Sequence, residues 1–454
     1  MSALDTIVAI ATPPGRGAVG IVRISGPATA RIAAALLRRC PPPRTATLAT
    51  FREADGGAID QGLALYFPGP QSFTGEDSLE LHGHGGPVVL DALVRRCLAL
   101  GCRAARPGEF SERAFLNGKI DVAQAEGVAD LIDAASSAAA RAAARSMQGE
   151  LSERVHALQA ELTALRVRLE GAIDFPDEEV PLLDDGEVAT RLAALRGSLV
   201  ALRDEAHRGV RLVEGLTVVI AGKPNAGKSS LLNRLAGDEV AIVTDLPGTT
   251  RDLLRHSVLE DGIPLHLVDT AGLRVAGDAI EAEGIRRARA AIARADLVLY
   301  VVDAARERAE VGAIGTEMAA IAPGVPVAIV LNKIDLLAAE AHDDLPTATD
   351  PPGVIALSAR TGAGVDRLRA RLRASAGEQS AEVSVVSARR RHLDALGRAG
   401  AHLDEAERVR RDTGAPELVA EELRCAQAAL GEITGEFTSD DLLGEIFRSF
   451  CIGK

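Results

Sequence analysis

The sequence predicts a multidomain protein in which an α/β domain is inserted into an α-helical bundle domain, after an α+β domain at the N-terminus. Three observations support this fold class. The apolar run 216–221 precedes a glycine-rich loop and a helix start, which is the strand–loop–helix order of an α/β nucleotide domain. A stripe of leucines over 151–169 indicates a long amphipathic helix. Short strand-like and helix-like segments alternate before residue 118, which is typical of an α+β domain.

Composition limits the class of protein. The 454 residues, 47% of them apolar, are enough for about two to four domains with buried cores. No run of about 18 apolar residues occurs, and the N-terminus lacks a signal-peptide pattern, so we expect no contact with a membrane. The net charge of −13 argues against a broad phosphate-binding surface, and any contact with nucleic acid needs a local basic patch or a partner.

Cysteine usage indicates a reduced compartment. The five cysteines are odd in number and form no CxxC pair. This pattern predicts a cytoplasmic protein without a cysteine metal site.

The first 118 residues are predicted to form the α+β domain. Strand-like segments cover 6–11, 20–24, 62–67 and 78–81, and helix-like segments cover 28–40 and 87–100. Two glycine-rich clusters, 13–17 and 82–86, are predicted to be loops that could hold a ligand. His82 and His84 could bind a metal ion, but no third ligand follows at a useful spacing, so ordinary loop or packing histidines are the alternative.

Residues 119–214 and 376–454 are predicted to be two parts of one helical domain that pack together, with residues 215–375 between them. The apolar stripe steps by four and three residues through Leu151, Val155, Leu158, Leu162, Leu165 and Leu169. It predicts packing inside a helical bundle, and a coiled-coil partner is the alternative. Further helix-like segments cover 186–213, 389–411, 416–433 and 439–450. Arg389, Arg390 and Arg391 could bind nucleic acid, but acidic residues resume at Asp394, so a solvated helix face is the alternative.

A phosphate loop spans 222–229. Its glycines let backbone N–H groups approach phosphates closely, and the following helix adds its positive end. Lys228 is the cation for the β- and γ-phosphates, and Ser229 offers a hydroxyl to Mg²⁺. A phosphate loop alone is a weak signal, but three more elements follow in the expected order.

Those elements are Asp269-Thr270-Ala271-Gly272, Asn332-Lys333-Ile334-Asp335 and Ser358-Ala359, each after an apolar run. Asp269 is predicted to reach the Mg²⁺ shell through water, and Gly272 to offer its N–H to the γ-phosphate. Asp335 selects guanine, because a carboxylate accepts two charge-assisted hydrogen bonds from the N–H edge of that base. Adenine lacks this edge, so the sequence predicts a Ras-like G domain at 215–375 that binds GTP.

Hydrolysis lacks its usual water-orienting residue. In Ras-type GTPases a glutamine follows the Asp-Thr-Ala-Gly motif, and Leu273 stands there instead. Glu281 lies close behind in the sequence and is the predicted catalytic residue, with an ordinary helix carboxylate as the alternative. A monovalent cation could supply the missing positive charge, held by Asn225 and the loop 244–250. Thr250 is the expected switch threonine on Mg²⁺.

Four strings outside the nucleotide domain carry a resemblance. They are IVRISG at 21–26, SFTGED at 72–77, RPGEFSERAFLN at 106–117 and FCIGK at 450–454. With the G domain, they make the whole chain similar to the MnmE (TrmE) family of tRNA-modification GTPases, within the TrmE-Era-EngA-YihA-Septin-like class. The resemblance implies a tetrahydrofolate-binding-like fold for residues 1–118 that also makes the protein a homodimer.

The resemblance also implies ligand sites. Arg23, Glu80, Lys119 and Lys454 would line a pocket for a tetrahydrofolate derivative in the 5,10-methylene or formyl form. Asn225, Thr244, Leu246 and Thr249 would surround K⁺, with Ser229 and Thr250 on Mg²⁺ and Glu281 acting on water. The full set expected around GTP is Asn225, Ala226, Gly227, Lys228, Ser229, Ser230, Thr244, Asp245, Leu246, Pro247, Gly248, Thr249, Thr250, Asp269, Thr270, Ala271, Gly272, Asn332, Lys333, Asp335, Ser358, Ala359 and Arg360.

The implied reaction is a K⁺-stimulated GTP hydrolysis that serves tRNA modification. The implied partner is MnmG (GidA), a flavoprotein that uses FAD and NADH and holds most of the tRNA. Together they would add an aminomethyl or carboxymethylaminomethyl group to carbon 5 of the wobble uridine. A regulatory ribosome-assembly GTPase is the alternative. That class usually carries a basic RNA-binding domain, and no GXXG clamp in a basic setting occurs here.

Overall fold

The computed structural model describes residues 5–174, 185–237, 255–260, 263–269, 291–293, 295–307, 324–337, 353–376, 385–436, 440–451 and 453. They fall into two compact units. The first comprises Met1–Ala129, Met147–Arg196 and Ala395–Lys454, and the second comprises Asp130–Ser146 and Gly197–Asp394. The predicted domain boundaries at 118, 214 and 375 stay predictions.

Both units contain strands and helices, numbered in chain order. The strands are β1 Ile7–Ile10, β2 Gly17–Ser25, β3 Thr47–Arg52, β4 Ala58–Phe67, β5 Ser78–Gly85, β6 Arg103–Ala104, β7 Leu216–Ala221, β8 Arg255–Glu260, β9 Ile263–Asp269, β10 Leu297–Asp303, β11 Val327–Asn332 and β12 Val354–Ala356. The helices are α1 Thr29–Leu37, α2 Pro87–Ala99, α3 Glu109–Leu116, α4 Val122–Asp133, α5 Ser137–Met147, α6 Glu150–Asp174, α7 Asp185–Glu214, α8 Lys228–Ala236, α9 Ala304–Glu307, α10 Val365–Ala376, α11 Arg390–Asp412, α12 Pro416–Thr434 and α13 Asp440–Arg448.

The first unit contains a six-stranded sheet in the order β3-β4-β5-β2-β1-β6. Neighbouring strands are antiparallel except β1 and β6. Alternate residues of β2 and β5, such as Ile24 and Leu81, are fully buried in a core shared with α1 and α2. Successive side chains of a strand point to opposite faces. The opposite face of β2 and β5 therefore presents Arg23 and Glu80, which pair across the two strands.

The loop predicted for the glycine-rich cluster at 82–86 is wrong, because β5 continues through His82 to Gly85. The glycines allow close strand approach: a Cβ on Gly83 would lie 2.5 Å from Asp60 Oδ2 on β4, and one on Gly85 would lie 2.6 Å from the carbonyl oxygen of Gly17 on β2. His84 Nδ1 contacts Asp60 at 2.7 Å. Within the described residues no group of three potential ligands could hold a metal.

The leucine stripe lies within α6, and all six of its residues are buried. Helix α6 packs along α12, and Gln159 Nε2 donates a hydrogen bond to Glu436 at 3.0 Å. Helical segments from both sides of the inserted domain therefore pack together, as the bundle interpretation predicted.

The second unit contains a six-stranded sheet in the order β12-β11-β10-β7-β9-β8, parallel except for β8. Its central strands β7 and β10 are buried on both faces, which is why they are almost wholly apolar in sequence. At the start of α11, Arg389 pairs with Asp130 at 2.8 Å and Arg390 with Glu214 at 3.1 Å. These ion pairs favour a paired helix face over a nucleic-acid patch. No described helix is long and apolar enough to cross a membrane.

Candidate functional site

The sheet of the second unit gathers the predicted nucleotide residues at one edge. After β7 the chain builds β8 and β9 on one side, and then crosses to place β10 on the other side of β7. Such a reversal opens a crevice at the carboxyl ends of the strands, where α/β sheets bind ligands. Gly222 follows β7, Asp303 ends β10, Asn332 ends β11 and Ser358 follows β12. The topology therefore brings these four positions to the same edge.

The loop between β7 and α8 has the shape of a phosphate cradle. Gly222 and Gly227 have φ values of 142° and 95°, and a Cβ on Gly222 would lie 2.2 Å from the carbonyl oxygen of Val301. Asn225 also has a left-handed φ, of 60°, which short polar side chains tolerate. The Nζ of Lys228 donates to the carbonyl oxygens of Gly222 at 2.8 Å and Lys223 at 2.9 Å. This holds the cation across the loop, above the N-terminus of α8, so the loop fits a bound polyphosphate.

Asn332 joins the phosphate loop to the base-recognition segments. Its side-chain Nδ2 donates to the carbonyl oxygen of Ala226 at 2.9 Å. Its Oδ1 accepts from the backbone N–H groups of Lys333 at 2.8 Å and Ala359 at 2.9 Å. Asn332 is buried, with 2% of its surface exposed, so all three bonds are shielded from water.

Asp335 is oriented by the loop after β12. It lies in the 3₁₀ turn Ile334–Leu336, and the Ser358 hydroxyl donates to its Oδ1 at 2.6 Å. The same hydroxyl oxygen accepts from the backbone N–H of Thr361 at 3.1 Å. Ser358 is therefore locked, and it fixes the plane of the carboxylate that guanine would meet. Arg234 of α8 donates hydrogen bonds to the backbone carbonyl oxygens of Ala359 and Arg360, which ties α8 to the same loop.

The structure adds Asp303, which sequence reasoning missed. Its carboxylate contacts Lys333 Nζ at 2.7 Å, and the same Nζ donates to the carbonyl oxygen of Asn225 at 2.5 Å. Burial raises the pKa of Asp303, but the hydrogen bond and charge of Lys333 and the N–H of Ala305 lower it below its ordinary value. In the sequence, Asp303 ends an apolar run, as Asp269 does, and this shared pattern could have identified Asp303.

Asp303→Asn is expected to speed GDP release about tenfold, because Lys333 loses the charged partner that positions it between the base segment and the phosphate loop. Stopped-flow release of a fluorescent GDP analogue measures the effect. If Asp303 acts through Lys333, the substitution adds almost nothing in a Lys333→Ala background. Fully additive effects in that double-mutant cycle would contradict the positioning role.

Several predicted residues lie outside the described part of the chain. They are Thr244, Asp245, Leu246, Pro247, Gly248, Thr249, Thr250, Thr270, Ala271, Gly272, Glu281 and Lys454. The backbone of Asp269 ends β9 at the site edge, and Ser229 and Ser230 lie in the first turn of α8. The assignments of individual residues to GTP, Mg²⁺ and K⁺ stay predictions.

A second polar cluster lies in the first unit around Arg23. The guanidinium pairs with Glu80 at 2.9 Å and lies 5.8 Å and 5.7 Å from the ring centroids of Phe73 and Phe110. His82 Nε2 contacts the other carboxylate oxygen of Glu80 at 3.0 Å. Phe73 is 40% exposed, so an aromatic face stands open beside the ion pair. The sequence did not predict that the two rings and His82 would join this cluster.

The chain's last described residue reaches this cluster. Arg23 Nη1 lies 3.5 Å from the carbonyl oxygen of Gly453. A Cβ on Gly453 would lie 2.4 Å from the carbonyl oxygen of Ile10, so the tail packs directly on β1. Lys119 is exposed, and its side chain passes the backbone of Gly75, two residues from Phe73. Three of the four predicted folate residues are therefore described, and two of them are in direct contact.

A buried ion network fixes α3 beneath this cluster. Arg113, 7% exposed, donates to Asp5 at 2.7 Å and Glu76 at 3.0 Å. Burial raises the pKa of Glu109, but hydrogen bonds from Arg103, the Arg106 backbone and Arg113 lower it to about 2. Glu109 thus stays ionised and paired with Arg103 and Arg113, and these ion pairs hold α3, which carries Phe110 beside Arg23.

The phosphate loop after β7 is tied by Asn332 to the segment of Asp335, and Ser358 orients the Asp335 carboxylate. This combination defines the P-loop guanine-nucleotide-binding proteins. Two family models match the chain: "GTP-binding protein TrmE N-terminus" over residues 6–119 and "MnmE helical domain" over residues 122–451. The chain belongs to the MnmE family of GTPases. The predicted family, fold class and GTPase activity are thereby confirmed, and GTP and Mg²⁺ are its ligands.

Relatives named "tRNA modification GTPase MnmE" match along the whole chain. The one from Methylococcus capsulatus is 57% identical over 451 residues, covering 99% of both chains. The one from Chromohalobacter salexigens is 56% identical over 452 residues, covering 99% of this chain and 98% of its own. The one from Yersinia pestis is 55% identical over 457 residues, covering all of both chains.

Proposed function

We propose that this chain is a K⁺-stimulated GTP hydrolase that modifies tRNA. Acting with a flavoprotein of the MnmG (GidA) type, it adds a carboxymethylaminomethyl or aminomethyl group to carbon 5 of the wobble uridine. The supporting observation is the Asn332–Asp335–Ser358 network, present in a chain 57% identical over its length to a relative named for tRNA modification. A tRNA substrate places this activity in the cytoplasm.

The hydrolytic step of the proposal rests on Glu281 and a monovalent cation. Leu273 is apolar and cannot orient water, so efficient hydrolysis needs another residue, and Glu281 lies close behind it in the sequence. Glu281 accepts a hydrogen bond from the attacking water, directly or through a second water. K⁺, where bound, would supply the positive charge that stabilises the leaving phosphate. The exposed amide of Asn225 at the tip of the phosphate loop supports the cation assignment, with Thr244, Leu246 and Thr249 as the other ligands.

The Arg23 cluster fits a tetrahydrofolate derivative. A carboxylate such as Glu80 suits the N–H edge of a pterin ring, and the exposed ring of Phe73 suits its flat face. The cations of Lys119 and Lys454 suit the carboxylates of the glutamyl tail. When bound, this group supplies the one-carbon unit of the modification. The residues of the chain bind and orient it, and Arg23 balances the charge of Glu80.

The partner assignments belong to the same proposal. The open face of the first sheet, where Leu63 is 41% exposed, supports a homodimer through the N-terminal domain. FAD and NADH are carried by the flavoprotein. The net charge of −13 supports a complex in which that partner holds most of the tRNA.

The test is mass spectrometry of nucleosides from total tRNA, with and without the gene. Deletion is expected to remove the 5-substituted wobble uridines, and the wild-type gene to restore them. Glu281→Ala should fail to restore them and should hydrolyse GTP about 10²- to 10⁴-fold more slowly, with GTP affinity near wild type. Glu283→Ala, which removes a neighbouring carboxylate, is the matched control.

Two outcomes would count against the proposal. Unchanged nucleosides after deletion would contradict the role in tRNA modification. Ribosome profiles would then test the ribosome-assembly alternative. Collapse of GTP binding in Glu281→Ala would make Glu281 a structural or nucleotide-contact residue.

A further inference from the structure

The segment 6–52 of this acidic chain carries positive charge without any carboxylate. Residues 6–52 contain seven arginines and no aspartate or glutamate, whereas the whole chain carries a net charge of −13. On an acidic protein, a local excess of positive charge attracts a polyanion that the rest of the surface repels. This segment is therefore a candidate for direct contact with an RNA substrate.

Three of these arginines line one groove. The groove lies between the end of α1 and strand β3, has a volume of about 210 Å³ and is bordered by Arg38, Arg39 and Arg52, with Thr47 and Thr50 alongside. Strand β3 is the last strand of its sheet. Arg38 and Arg39 are exposed. The groove, hereafter the arginine groove, therefore opens to solvent.

The charges of the arginine groove are not neutralised by the protein. Arg52 Nη1 donates to the carbonyl oxygen of Gly56 at 2.9 Å, which is a neutral acceptor. Within the described residues, no ion pair involves Arg38, Arg39 or Arg52. Most other arginines of this unit pair with carboxylates, as Arg103 and Arg113 do. Unpaired guanidinium groups around one cavity are suited to an anion from outside.

Arg38 occupies a position that favours another residue. It ends α1 with a φ of 70°, the left-handed conformation that glycine usually provides after a helix. An arginine there is conformationally costly, so its backbone does not favour this helix end. The backbone conformation also makes this position useful for an experiment, because glycine would remove the charge and relieve the strain together.

We propose that the arginine groove binds the phosphodiester backbone of RNA, and so gives the chain its own contact with tRNA. The inference rests on the proposed function for the identity of the RNA. The volume is below the ~300 Å³ of ordinary small-molecule pockets, so the groove fits one phosphate of a polymer better than a free nucleotide. Arginine forks match phosphate oxygens in pairs, and the threonine hydroxyls add neutral donors.

The test measures binding of an unmodified tRNA transcript to the full-length chain by fluorescence anisotropy over a range of salt concentrations. The double variant Arg38→Gly with Arg39→Gln is expected to weaken binding about tenfold or more. The slope of log affinity against log salt should fall by about one for each phosphate that the variant no longer neutralises. Arg31→Gln removes an exposed arginine of the same helix outside the groove and should leave both quantities near wild type.

Folding cannot explain the expected loss, because Arg38→Gly alone should keep or raise the melting temperature while weakening tRNA binding. Unchanged affinity and salt slope in the double variant would overturn the proposal. Competition by a poly-glutamate peptide as effective as by tRNA would also overturn it, and would reassign the groove to an acidic polypeptide.

The nucleoside experiment separates this proposal from the proposed function. Loss of the wobble modifications on gene deletion, with tRNA binding unaffected in the double variant, refutes the groove alone. Unchanged nucleosides on deletion, with tRNA binding lost in the double variant, refute the proposed function and support an RNA-binding groove.

Discussion

Asp335→Asn is expected to lower GTP affinity about 10²- to 10⁴-fold, because two charge-assisted hydrogen bonds to the base are lost and each contributes about 1.5–3 kcal/mol. The fold should survive. The Ser358 hydroxyl donates to Oδ1 of Asp335 at 2.6 Å, and the amide oxygen of asparagine can accept that bond in the same place. The asparagine Nδ2 then faces the N–H groups of guanine, and no hydrogen bond can form because both groups are donors.

The same substitution should raise the affinity of the protein for xanthine nucleotides. Xanthine carries a carbonyl oxygen where guanine has its amino group, and the asparagine amide can donate to it. Titration of the variant with GTP and XTP by calorimetry is expected to show XTP bound more tightly. Asp366→Asn, which changes an exposed carboxylate in the first turn of α10, should leave GTP preference intact. Retained GTP preference in Asp335→Asn would refute the assigned base contact.

Gly227→Ala is expected to abolish measurable nucleotide binding. A Cβ on Gly227 would lie 2.2 Å from Asn332 Nδ2, and the residue has a φ of 95°. Asn332 cannot move aside without breaking its bond to the carbonyl oxygen of Ala226 and its bonds from Lys333 and Ala359. Three buried hydrogen bonds at about 1 kcal/mol each, with about 1 kcal/mol of backbone strain, should lower the free energy of unfolding of this unit by roughly 3–4 kcal/mol.

Gly324 is a control that separates the effect of backbone strain from the effect of the contact with Asn332. Gly324 has a φ of 86°, and a Cβ there would meet nothing within 4 Å. Gly324→Ala should therefore cost only about 1 kcal/mol of unfolding free energy and leave nucleotide binding unchanged. Equal effects of the two substitutions on nucleotide binding, measured with a fluorescent GTP analogue and with thermal melts, would contradict the role given to the Gly227–Asn332 contact.

The parts of the fold that were predicted correctly have local causes. Strand β7 begins and ends at the predicted residues, because a strand buried on both faces is a continuous apolar run between a glycine and the phosphate loop. Helix α6 was predictable because its six buried apolar residues keep a helical period. The order of motifs along the chain located the nucleotide site before any geometry was known.

The parts that were not predicted depend on distant residues. Strand β3 was missed because only pairing with β4 makes the sequence 47–52 extended. The continuation of β5 through two glycines was missed because those glycines serve close contact with β4 at Gly83 and with β2 at Gly85. The partnership of Asp303 with Lys333, 30 positions apart, and the convergence of Arg38 and Arg52 on one groove also arise only from the fold.

The docking of the tail on β1 bears on how the protein is made. Arg23 meets the backbone of Gly453 across a sequence separation of 430 residues, and Gly108 donates to the carbonyl oxygen of Cys451 at 3.3 Å. Domains generally fold from the N-terminus during synthesis. The sheet of the first unit can form early on the ribosome, but the environment of Arg23 is finished only when residue 453 has been released. The Arg23 site is therefore completed only after the inserted GTPase domain has been synthesised.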